Sequence, residues 1–188
     1  MDNDVSAGSG TTTVAGRLAL GITLLAFGLG TTGVIDNVTT SDAVSIAHYV
    51  GGVALFLVGL LAFRDRDAAN GTGYVALGAL WFTWAVSSGG HTSANGAGLF
   101  LLLFALVALS LTLAGGDQLG QAMHGLLFLA MLVLAVAQFA DSSSLTKVGG
   151  WVAVAAGAVA WYAATAALAH WPTVLPGRAA GRGVTAHG

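Results

Sequence analysis

Charge is the scarcest property of this sequence. Six lysines and arginines, eight aspartates and no glutamate make up 7% of 188 residues, against 56% that are hydrophobic. A water-soluble domain of that size could not cover its surface from so small a polar stock. Cysteine is absent, which excludes a disulfide framework and thiolate chemistry while leaving the compartment open. The formal charge of −2 and the lack of a basic surface exclude a nucleic-acid partner. Residues 1–13 are small and polar, carry Asp2 and Asp4 and have no basic n-region, so no cleaved signal peptide is expected.

What fills the chain is apolar. Six long stretches lie near 15–35, 43–63, 72–89, 97–115, 120–140 and 148–170, and the short links between them hold nearly every charge. A bilayer core about 30 Å thick takes about 20 residues of helix at about 1.5 Å each. A transmembrane barrel would instead alternate apolar and polar residues over segments of about ten. Runs such as Leu99 to Ala108 and Leu126 to Ala137 are apolar on every face, which selects helices. The expected fold is therefore an all-α integral membrane protein. Six transmembrane helices form one compact bundle over residues 14–171, between a disordered tail at 1–13 and a second tail at 172–188.

Orientation follows from the cations. With these spans, Arg17, Arg64, Arg66, Arg178 and Arg182 fall on one side of the membrane and Lys147 on the other. The positive-inside rule then places both termini in the cytoplasm. The Arg64-Asp65-Arg66-Asp67 run reads as a solvated turn, and Arg17 as a side chain that snorkels to the headgroups.

Glycine, with 28 copies, is abundant inside the spans at Gly21, Gly28, Gly51, Gly52, Gly59, Gly78 and Gly157. In lipid, small residues let helix backbones approach and mark crossings. The links are too short for a soluble catalytic module, so function must reside in the bundle core or between protomers. Ionisable groups at depth are functional candidates, and here they are few. His48 lies about one and a half turns into the second span and His124 a similar distance into the fifth, while no Asp, Lys or Arg falls near a span centre. His48 suits proton coupling near neutral pH, although an interfacial histidine bonded to a neighbouring carbonyl or hydroxyl is the commoner case. Neither histidine has metal-ligand spacing, so no metal, cofactor or catalytic residue is expected.

Hydroxyls and amides at depth, among them Thr31 and Thr32, either line a polar pathway or bond back to the preceding turn. Most aromatics lie near span ends as interfacial anchors, and Trp84, Trp161 and Phe27 lie deep enough to narrow a pore.

Several short motifs resemble those of the acetate uptake transporter family, the succinate–acetate permeases also called YaaH-like. They are Gly149-Gly150-Trp151, Gly157, Trp161-Tyr162-Ala163-Ala164 and Thr173-Val174-Leu175-Pro176 at the C-terminal end. Gly51-Gly52 with Gly59-Leu60-Leu61, and Asn70, Gly73, Ala76 and Trp84, extend the likeness into the second and third spans. The family's Asn-Pro-Ala-Pro-Leu-Gly signature is absent, and Thr13-Val14-Ala15-Gly16-Arg17 stands in its place. The family's glutamine after Gly-Gly and its two glutamates fall on Leu55, Ala62 and Ala167.

The resemblance implies a six-helix protomer with its own narrow pathway, assembled as a homohexamer, that passes acetate or succinate with protons. The family's constriction of Phe, Tyr and Leu maps onto Leu20, Leu80 and the Leu127 region, all aliphatic here. The expected function is a membrane transporter or channel for small monocarboxylates, proton-coupled or passing the protonated acid. Leu20, Thr31, Thr32, Asn37, His48, Tyr49, Leu80, Trp84 and Leu127 are the pathway candidates. Its partners are the carboxylate, protons and the cell-membrane bilayer. The alternatives are a passive channel for urea, ammonia or water, and a non-transporting scaffold or regulatory subunit.

Overall fold

The computed structural model describes residues 10–38, 40–88 and 92–171, which are helical apart from short links. Helix α1 runs Thr11–Thr32. The next rod is composite: α2 (Thr40–Ile46), a π-helical segment (Ala47–Ala54) and α3 (Leu55–Arg64) follow without a break. Then come α4 (Ala68–Ser88), α5 (Ala94–Leu113), α6 (Gln118–Phe139) and α7 (Ser143–Ala169). Five runs are long and apolar enough to cross a membrane: Thr11–Thr32, Asp42–Arg64, Ala94–Leu113, Gln118–Phe139 and Ser143–Ala169. Helix α4 has spanning length at 21 residues, but Asn70, three glycines and two tryptophans make it the least apolar.

Helix ends follow capping chemistry more than hydropathy. Ser93, Asp117 and Ser142 each accept a hydrogen bond from the backbone N–H three residues on, so α5, α6 and α7 begin before their apolar stretches do. An oxygen at that position satisfies an N–H left without an intrahelical partner. At the other end, α1 stops at Gly33 in the left-handed conformation, φ 64°, and α7 stops at His170, φ 55°. Thr11, Thr12 and Thr13 form the first turn of α1 rather than part of a tail; residues 1–9 and the tail at 172–188 lie outside the described residues.

Neighbouring helices form a ring in the order α5, α6, α7, α1, the α2–π–α3 rod and α4, with only slight contact where α4 meets α5. Two of the crossings are built alike. Gly21 and Gly28 of α1 face Gly150 and Gly157 of α7, and a Cβ on Gly28 would lie 2.7 Å from the Gly150 carbonyl oxygen. Gly52 and Gly59 face α4 near Gly71 and Gly78 in the same heptad spacing, and a Cβ on Gly59 would lie 2.7 Å from the Val75 backbone nitrogen. Backbone blocks both, so each crossing is close because the side chain is missing. Inside the ring, Leu20, Leu24, Phe27, Leu77, Leu80, Trp81, Leu127 and Met131 make one continuous apolar core.

Candidate functional site

Leu20, Leu80 and Leu127 come from α1, α4 and α6 and belong to the same core cluster, at 0%, 1% and 0% exposure. One helical turn from Leu20 and from Leu127 lie residues that line a polar cavity of about 510 Å³ at the α1 N-terminal end: Arg17 before Leu20, and Met123 before Leu127. Tyr74 lines it too, one turn before Leu77. A second cavity, about 340 Å³, opens at the opposite end between Thr31, Gln138, Asp141 and Lys147. The leucines therefore stand between two polar mouths.

The first mouth is held together by polar links across the ring. Arg17 on α1 forms an ion pair with Asp117, which precedes α6. Tyr74 on α4 donates its hydroxyl to the Thr13 carbonyl at 3.0 Å. Asn70 donates to Asp67 at 2.6 Å and to the Thr13 hydroxyl at 3.4 Å, and Thr12 donates to Asp65. Gly16 makes this possible, since a Cβ there would sit 2.3 Å from the Tyr74 ring. Of residues 13–17, Arg17 lines this mouth and Thr13 is tied to its far wall through Tyr74 and Asn70.

Beyond the leucines the core turns aromatic. Phe27 meets Trp81 edge-on at 5.2 Å and Trp84 edge-on at 6.3 Å, and Trp84 stacks on Phe100 at 5.9 Å. The indole N–H groups of Trp81 and Trp84 are buried and have no acceptor among the described residues. Trp84 also lines a small cavity, about 190 Å³, with Ser87, Thr92 and Phe100. An unsatisfied buried N–H costs about 1–3 kcal/mol, so two together mark a place where an acceptor would be bound more tightly than in water.

The other candidates are distributed unevenly. Thr31 and Thr32 donate to the Phe27 and Leu29 carbonyls of their own helix at 2.7 and 2.8 Å, the back-bonding common for membrane hydroxyls; Thr31 still lines the second mouth. Asn37 is exposed in the link after α1, in the left-handed conformation at φ 62°. His48 and Tyr49 lie on the π segment, whose buried residues are Ala47, Gly51 and Gly52. The His48 ring stacks on Tyr49 and meets Phe82 edge-on, each at 4.9 Å. Tyr49 is 69% exposed and Phe82 is exposed as well, so this pair faces away from the leucine cluster. His124 lines the first mouth.

Four residues at the centre of this arrangement were invisible to sequence reasoning as parts of a site. Trp81 and Tyr74 have the composition of interfacial anchors, yet both are buried. Arg17 and Asp117 look like unrelated charges at helix ends, and no local signal announces a contact across 100 positions. Among the described residues no group of three or more His, Cys, Asp or Glu could hold a metal.

The fold is that of an all-α membrane protein, a ring of helices with buried leucines at its core and a polar cavity at each end. The chain belongs to the GPR1/FUN34/yaaH family, whose model matches residues 7–174. This is the acetate uptake transporter family to which the glycine and Trp-Tyr-Ala-Ala motifs point. A curated relative, the "Glyoxylate pathway regulator" of Yarrowia lipolytica (strain CLIB 122 / E 150), is 28% identical over 169 residues. The match covers 82% of this chain and 62% of the relative, so the chain spans about three-fifths of that protein's length. Among solved structures, the bacterial acetate channel SatP superposes with a TM-score of 0.79 at 21% identity, over 89% of this chain and 98% of that one. At that identity the likeness establishes the fold.

Proposed function

We propose that the protein is a multi-pass membrane transporter or channel for small monocarboxylates such as acetate, which cross the leucine constriction as the protonated acid. Six helices cross the bilayer, α4 included, with both termini in the cytoplasm, and the working assembly is a homohexamer. The observation that supports this reading is a buried apolar leucine cluster between two polar cavities in a fold shared with a bacterial acetate channel.

A carboxylate anion in an apolar constriction without a counter-charge loses most of its hydration energy, whereas the neutral acid loses far less. Leu20, Leu80 and Leu127 offer neither charge nor hydroxyl, so they favour the neutral form. On the far side, the indole N–H groups of Trp81 and Trp84 supply donors that need no charge on the solute. In proteoliposomes, acetate uptake should fall roughly tenfold for each pH unit above the acid's own pKa, in step with the neutral fraction. Uptake that stays constant as external pH rises would show that the anion itself is conducted. A second reading, passive conduction of a neutral solute such as urea, is favoured by the all-aliphatic constriction. Urea flux without acetate flux in the same vesicles would select it.

A further inference from the structure

Arg17 is unusual among the charged residues because its side chain is only 11% exposed. It stands on α1 one turn before Leu20, at the floor of the 510 Å³ mouth and beside the Tyr74 hydroxyl. A guanidinium presents a planar fork of five N–H donors that fits both oxygens of a carboxylate at once. Here Asp117 engages it through a single oxygen, Oδ1 to Nη2, because its other oxygen, Oδ2, accepts the Gly120 N–H at 3.1 Å and caps α6. Asp117 is 52% exposed, so it can turn to solvent without leaving a buried charge.

The remaining carboxylates at this mouth are engaged elsewhere. Asp67 accepts twice from Asn70, at 3.1 and 2.6 Å, and Asp65 accepts from Thr12. Met123 and the Tyr74 ring provide apolar surface beside the cation, suited to a short alkyl group. One turn further in, Leu20 and Leu127 close the path.

We propose that Arg17 is a carboxylate-binding residue at the mouth of the constriction, held in place by Asp117 until the carboxylate of a small organic acid displaces it. The seat rests on the transport reading for its biological ligand and adds to it a residue, an occupant and a competitor. It gathers the anionic form at the mouth, while the leucines admit the neutral form.

Two substitutions at the pair move affinity in opposite directions. Asp117→Asn keeps an N-cap oxygen, since asparagine caps as well as aspartate, and removes the competing charge. Arg17→Gln removes the fork, and Arg17→Lys keeps the charge without it. The experiment measures equilibrium binding of radiolabelled acetate to the full chain in nanodiscs at neutral pH, with melting temperature as the check on folding, and proteoliposome uptake in parallel. Asp117→Asn should tighten binding about threefold to tenfold, Arg17→Gln should weaken it at least tenfold, and Arg17→Lys should fall between. In flux that enters from the Arg17 side, the change should appear in KM at neutral pH and vanish at acid pH, where the neutral form predominates. A purely structural ion pair would make Asp117→Asn and Arg17→Gln equally harmful, and that result overturns the seat. So does wild-type binding by a folded Arg17→Gln protein, or wild-type flux without measurable binding. Binding without flux in the wild type would instead sink the transport reading and leave the seat standing.

Discussion

Trp81 and Trp84 bury two indole N–H groups beside Phe27 with no acceptor among the described residues, a cost that is recovered only when something accepts from them. Replacing Trp84 with Phe keeps a ring against Phe27 and Phe100 and deletes the donor. If a solute acceptor uses it, acetate uptake should drop about threefold to tenfold, the worth of one neutral hydrogen bond, with little change in melting temperature. In the proposed pathway the leucines act by size. Leu127→Ala should raise flux by opening the constriction, and should lower stability by about 2–5 kcal/mol because the site is fully buried. Both effects are read in one preparation, by uptake and by thermal melting. His48 touches Tyr49 and Phe82, away from the leucine cluster. His48→Ala is therefore expected to leave the pH profile of uptake within twofold of wild type. A lost pH dependence would restore it as the coupling group.

At the scale of elements, two helix crossings with heptad-spaced glycines hold the ring. A side chain at Gly28 would meet the Gly150 carbonyl at 2.7 Å and the Val154 nitrogen at 2.8 Å, and backbone atoms cannot turn aside. Gly28→Leu should prevent α1 and α7 from closing and abolish the monodisperse peak in detergent gel filtration. Gly125→Ala is the matched control, since its nearest neighbour would be a Thr112 methyl at 3.7 Å, an ordinary contact. It should leave the elution profile unchanged. Between α2 and α3 the chain is π-helical over Ala47–Ala54, where the Leu55 N–H reaches the Val50 carbonyl five residues back. Such segments are rare and favour functional positions. This one sets Gly51 against Thr23 and Trp81, so it shapes the aromatic part of the core.

For the whole molecule, most large residues on the outer faces are apolar, among them Leu57, Leu61, Leu103, Leu106 and Leu168. Lipid covers such a surface at no cost, and so does another protomer. The proposed homohexamer predicts a detergent-corrected mass of six 18.7 kDa chains; a monomer mass with full acetate flux would show that each ring works alone.

The sequence by itself determined that the chain lives in lipid, that its spanning elements are helices, and which family it joins. Those conclusions rest on local quantities: hydropathy, the length of a run, and short motifs such as Trp161-Tyr162-Ala163-Ala164. That Leu20, Leu80 and Leu127 share one buried cluster was expected only through the family likeness, since leucines within leucine-rich spans carry no signal of their own. Tertiary structure alone decided which polar groups face the interior. It turned His48 outward, buried Trp81, and closed Arg17 onto Asp117 from 100 positions away. The reason is physical. In lipid every helix face can be apolar, so the pattern that would reveal orientation in water is erased, and only the close approach of neighbouring backbones sets which side points in.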